Sequence, residues 1–156
     1  MDAGGITIET VSPLPLAAVR RQVTTANLVI QIVGAPIWSL TEQRGLDSGG
    51  QVVVIYYDSG TGTRLAPPDG VAADIGVLLA EPFEGDQSLQ CVMTPTGRVA
   101  RFRHHGHYEL LPVVHADIRA WCLDRGHAIA GTNWEHFAQW HEDPEKLVTD
   151  VYYLLR

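Results

Sequence analysis

"YELLPVVHADIRAWCLDRG", residues 108–126, sets Leu111, Val114, Ile118 and Trp121 at helical spacing and closes on a glycine. Residues three and four apart share one face of an α-helix, so the stretch predicts a helix from Tyr108 to Arg125. Gly126 offers the left-handed turn that stops it. The apolar stripe needs a sheet to lie on, and the flanks supply one. "QVVVIYYD", "ADIGVLLA", "GRVARFRHH", "NWEHFAQW" and "LVTDVYYLLR" are rich in β-branched and aromatic residues and read as strands. "DSGTGTRLAPPDG", residues 58–70, and "EPFEGDQS", residues 81–88, carry the turn residues that interrupt them. A first helix ends at Arg44 and Gly45. Pro36 inside it implies a kink or a late start, because proline removes a backbone donor and crowds the preceding turn.

The same plan occurs twice. Arg20 and Gly45 are separated by the interval that separates Arg101 and Gly126, and both intervals end in Arg-Gly. Gly45 to Tyr56 likewise equals Gly126 to Phe137. Two helix ends and two aromatic strand positions coincide under one offset, which predicts an α+β fold of two βαββ units with pseudo-two-fold symmetry, an antiparallel sheet and one main helix per repeat. The whole chain, 1–156, reads as a single domain, with repeat 1 at about 6–81 and repeat 2 at about 89–156. Under that offset Glu135 stands where the first repeat has Val54.

Composition narrows the function. The 156 residues suit one ordinary domain, and a net charge of −7 has the wrong sign for neutralising a phosphate backbone, so direct nucleic-acid binding is not expected. Cys91 and Cys122 form neither a ligand pair nor a disulfide framework, which suits a reducing cytosol. The longest apolar stretch, "LVIQIVGAPIW", is too short to cross a bilayer, and "MDAGGITIET" has no leader-like basic start, so the chain reads as cytoplasmic. Neither a phosphate loop nor a dinucleotide fingerprint is present, and no cofactor is implied. His104 and His105 alternate across a strand, zinc-like spacing is lacking, and no metal is expected. The histidines other than His104 read as surface residues.

"GTNWEHFAQWHED", residues 131–143, places Glu135 among Trp134, Phe137 and Trp140. Two readings stand. Glu135 is a solvated residue on a wet strand face, or it faces an aromatic cavity and needs a partner, because an isolated buried carboxylate is costly. A cationic ligand would be such a partner, and aromatic faces would add to its attraction. Tyr56, Tyr57, Trp38, Tyr108, Phe137, Trp140 and Tyr152 are candidate walls, of which strand alternation lets only some share a face. Tyr56 and Phe137, equivalent under the repeat, form the leading pair. Trp121 reads as core.

Read together, "VVVIYYD", "ADIGVLL", "GRVARFRHHGHYELL", "WCLDRGHAIAG", "WEHF" and "DPEKLVTDVYYLL" resemble, in order and spacing, the GyrI-like small-molecule-binding domain. That domain also forms the effector-binding part of AraC-type and MerR-type multidrug regulators such as BmrR. The resemblance runs from about Ile6 to Arg156. It implies a ligand cleft between the halves, lined by aromatics and floored by one acid, which falls on Glu135. The family's final-strand aromatic falls on Tyr152, and a histidine common in it falls on His104. Two departures are visible. Phe137 lacks the hydroxyl of the tyrosine often found there, and "GHYE" puts His107 where the family has proline.

The expected function is binding of a lipophilic cationic or aromatic drug-like molecule by Glu135, Phe137, Tyr56, Tyr152, Tyr108, Trp38 and His104. The protein would act as a sensor or sequestering module, linked to transcription only through a protein partner, since the chain has no room for a helix-turn-helix. The alternative implied by the resemblance is hydrolysis of cyclopropane-containing DNA-alkylating compounds, with Glu135 as general base. A weaker one is inhibition of a partner such as DNA gyrase.

Overall fold

Alternation of inward and outward side chains along the strands decides which residues can meet. The computed structural model describes residues 5–24, 27–58 and 70–156, so residues 59–69 of the turn stretch 58–70 lie outside the described residues. The strands are β1 (Ile6–Val11), β2 (Pro15–Val23), β3 (Ser48–Tyr56), β4 (Val71–Leu79), β5 (Gln90–Met93), β6 (Gly97–His105), β7 (Ile129–Phe137) and β8 (Val148–Leu155). The helices are α1 (Leu28–Gly34), α2 (Ile37–Gln43) and α3 (Leu111–Asp124). A 3-10 turn at Tyr108–Leu110 leads into α3, so the predicted helix starts as a tighter turn.

Pro36 splits the first helix. Ala35, the residue before it, is extended at φ −68 and ψ 128, which is the conformation a following proline imposes. The two helix ends agree as expected: Gly45 and Gly126 take φ +64 and +74 directly after Arg44 and Arg125.

Among the described residues the strands form one eight-stranded antiparallel sheet in the order β1-β6-β8-β7-β3-β4-β2-β5. The order is symmetric about the β7–β3 pair. Each half runs second, third, first strand outward, and Val54 and Glu135, equivalent under the repeat, face each other at the centre. The mirrored pairs Val52–Phe137 and Tyr56–Asn133 flank them.

Two strands fall outside the simple βαββ plan, and they are exchanged. β1 precedes the first unit but pairs with β6 of the second; β5 precedes the second but pairs with β2 of the first. This exchange bends the sheet. In a flat sheet β1 and β2, six places apart in the order, would be separated by ~29 Å, while the chain from Val11 to Pro15 reaches only ~14 Å. The sheet therefore curls, and the two connectors meet. Leu14 N donates to Thr94 Oγ1 at 2.8 Å, Thr94 N donates to Leu14 O at 2.9 Å, and Thr96 Oγ1 donates to Val11 O at 3.1 Å.

The helices cover the outer face with two clusters. One holds Ala17, Val19, Ile37, Val54, Tyr56 and Ile75; the other holds Ala100, Leu111, Val114, Ile118, Val151 and Tyr153. Phe137 packs against both. On the inner face Leu16, Ala18, Val53, Ile55, Val99 and Trp134 form a third cluster to which the helices contribute nothing, enclosed by the curl of the sheet itself.

Gly76 permits that curl on the inner face. A Cβ there would stand 2.9 Å from Ala18 Cβ and 3.0 Å from Ala17 O, both on the neighbouring strand. Gly76→Ala is expected to lower unfolding stability by about 1–3 kcal/mol through overpacking, measured by urea denaturation. Unchanged stability would mean that β2 and β4 have slack.

Candidate functional site

Register puts Glu135 in an otherwise apolar row. Phe102, Val151, Glu135, Val54, Ile75 and Val19 run side by side across the helix-covered face. Glu135 is only 4% exposed. Of its two readings, the solvated one is therefore set aside.

The carboxylate is not left bare. Tyr56 Oη donates to Glu135 Oε1 at 2.6 Å, and His115 Nε2 lies 2.8 Å from Oε2. Behind it His115 Nδ1 lies 2.5 Å from Tyr153 Oη, which accepts from Arg119 Nε at 3.1 Å. A carboxylate can only accept, so Nε2 carries hydrogen; in a neutral ring Nδ1 then accepts from the Tyr153 hydroxyl. Both Glu135 oxygens, both His115 ring nitrogens and the Tyr153 hydroxyl are thus engaged. His115 and Arg119 are 1% and 0% exposed, and the Arg119 guanidinium lies 4.9 Å from the centre of the Tyr153 ring. The partner that a buried carboxylate requires is thus supplied by the chain itself.

The remaining candidates divide by face. Tyr108 meets Phe137 edge-on, with ring centres 5.3 Å apart, at the seam between the two outer clusters. His104 lies in the same sheet row as Thr149 and Phe137, and its Nε2 is held by the His107 carbonyl at 2.9 Å. Tyr152 is on the inner face, stacked on Trp134 at 5.0 Å with Arg101 over its other side, so it cannot share a cavity wall with Glu135. Its neighbour Tyr153 occupies that position. Trp38 is 47% exposed on α2, and Trp140 is exposed after β7. An open cavity of about 330 Å³ is lined by Arg20, Arg21, Pro36, Leu40 and Ser88 among others, and none of the predicted site residues reaches it.

His115, read from the sequence as a surface residue, is instead buried, and Arg119 and Tyr153 were not singled out. A signal existed: His115 follows Leu111, and Arg119 follows His115, each by one i to i+4 step, so both fall within the buried face of α3. Among the described residues, no group of three or more His, Cys, Asp or Glu side chains is gathered as a metal site. No helix there is long and apolar enough to cross a membrane.

A family model described as the GyrI-like small molecule binding domain matches residues 5–156. The chain belongs to that family. The fold of this GyrI-like domain is similar to the EcmrR C-terminal domain, with a TM-score of 0.78 at 12% identity over 97% of this chain and 96% of that one. It spans 57% of the EcmrR chain seen in a complex with DNA. SAV2435 bound to tetraphenylphosphonium is similar at a TM-score of 0.62 and 10% identity, covering 97% of this chain and 93% of that one. A hydrolase encoded by lin2189 from Listeria innocua is similar at 0.57 and 9% identity, covering 97% and 91%. At these identities the likeness is one of fold. The search of curated proteins found no match to this chain in sequence.

All five tyrosines are held above the ordinary phenol range, each chiefly by burial, with the Glu135 charge adding to the effect on Tyr56. Each binds its proton more tightly folded than unfolded. That stability is fully present below about pH 10 and is lost as pH rises through the folded values. Absorbance at the phenolate band should therefore stay low near the normal tyrosine titration and rise in one step with alkaline unfolding followed by circular dichroism. A gradual rise ahead of unfolding would show that the phenols are wet.

Proposed function

We propose that the chain binds amphipathic aromatic cations at the seam between its two halves, as a cytosolic sensor or sequestering module and a single two-repeat domain. The carrying observation is a carboxylate buried at the centre of the outer face, beside the pseudo-two-fold axis and bordered by Tyr56 and Phe137. Tyr108 and Phe137 form the aromatic edge, and His104 stands in the adjoining row. Ring faces and a buried negative charge together favour flat, weakly hydrated cations over neutral molecules of equal size. The tetraphenylphosphonium complex of SAV2435 lends support from the same fold. Any effect on transcription would pass through a partner, since the net charge of −7 disfavours DNA.

Glu135→Gln keeps the shape and removes the charge. Its affinity for aminoacridinium should fall about ten- to a hundredfold, the scale of a charge-assisted hydrogen bond, while affinity for neutral acridine, measured by calorimetry above its protonation range, changes little. Equal losses, or none, would remove Glu135 from the site.

A second reading rests on the Glu135–His115 contact, a carboxylate in line with an imidazole and two phenols, an arrangement able to accept a proton from water once a substrate opens the seam. It would serve hydrolysis of a strained cyclopropane ring. Chromatography of a cyclopropane-bearing alkylating compound after incubation separates the two, since a binding module returns it unchanged and an enzyme yields the ring-opened product with water added.

A further inference from the structure

Both oxygens of Glu135 already accept a hydrogen bond, and the two donors are held very differently. His115 is braced from behind by Tyr153, which itself accepts from Arg119, so moving the imidazole breaks a relay of three side chains on α3 and β8. Tyr56 gives one hydroxyl to Oε1, and the structure assigns that hydroxyl no other hydrogen bond among the described residues. Its loss costs a single contact. Of the two donors, the Tyr56 hydroxyl is the one whose displacement breaks the fewest hydrogen bonds.

We propose that Oε1 of Glu135 is the ligand-facing oxygen, occupied by Tyr56 as a placeholder, and that the site selects cations carrying an N–H donor, such as amidines, guanidines and protonated amines, over permanently charged cations without one. This rests on the cation-binding function proposed above and specifies its ligand class. Oε1 is buried, so a displaced hydroxyl cannot be replaced by bulk water. A cation with an N–H restores the bond and adds its charge. A quaternary nitrogen or phosphonium adds charge alone and leaves the oxygen short of a donor.

Two cations of nearly equal size test this: aminoacridinium, which carries N–H groups, and N-methylacridinium, which carries none. The wild-type protein should bind the first at least about tenfold more tightly, the scale of one hydrogen bond to a charged group. Tyr56→Phe removes the placeholder and keeps the ring. It should melt at a lower temperature than wild type without ligand, bind aminoacridinium several-fold more tightly, and gain more melting temperature from that ligand than wild type does. Equal wild-type affinity for the two cations, with both weakened in Glu135→Gln, would overturn the selectivity while leaving the cation site in place. Weaker binding of aminoacridinium by Tyr56→Phe would make Tyr56 a wall of the site and overturn its placeholder role. Insensitivity of both cations to Glu135→Gln would instead overturn the underlying function.

Discussion

A single negative charge set into an apolar row is the constraint around which the rest of this protein is arranged. Glu135 holds the place that Val54 holds in the first repeat, and the valine needs nothing from its surroundings. The acid needs two donors, and it draws one from each half: Tyr56 from β3 and His115 from α3. The strand order is symmetric about β3 and β7, and at its centre an acid faces a valine. The cluster on the first half is aliphatic apart from Tyr56 and the phenylalanines packed against it, whereas the second half threads a polar relay from Glu135 to Arg119 through its core. A relay of this kind is stable only when every member is satisfied.

Phe137 and Tyr56, equivalent under the repeat, stand differently toward the acid. Phe137 carries no hydroxyl and packs against both outer clusters. The hydrogen bond to the carboxylate comes from Tyr56, the residue equivalent to Phe137 under the repeat, across the pseudo-two-fold axis.

What could be read from the sequence was set by periodicity. The α3 stripe, its glycine stop and the two Arg-Gly spacings revealed two βαββ units, while the strand order about β3 and β7 appears only in the structure. Parity was harder. Tyr152 and Tyr153 are adjacent, strand residues alternate faces, and nothing local says which one looks at Glu135; the register with Asn133 and Trp134 decides it. His115 and Arg119 were hidden by their polarity, because a search for apolar spacing passes over the charged residues that share a buried helix face. β1 and β5 carry weak signals since each is an edge strand, and its partner lies far away in sequence.

The exchange of those two edge strands has a consequence for how the molecule can be divided. A cut anywhere between the repeats leaves residues 6–81 with β1 but without the β6 it pairs with, and residues 89–156 with β5 but without the β2 it covers. Each fragment would present an open sheet edge together with a loose strand of complementary register. The repeats are alike in plan, yet they are not independent modules. With its edge strands exchanged, each half of the sheet is completed only by a strand from the other.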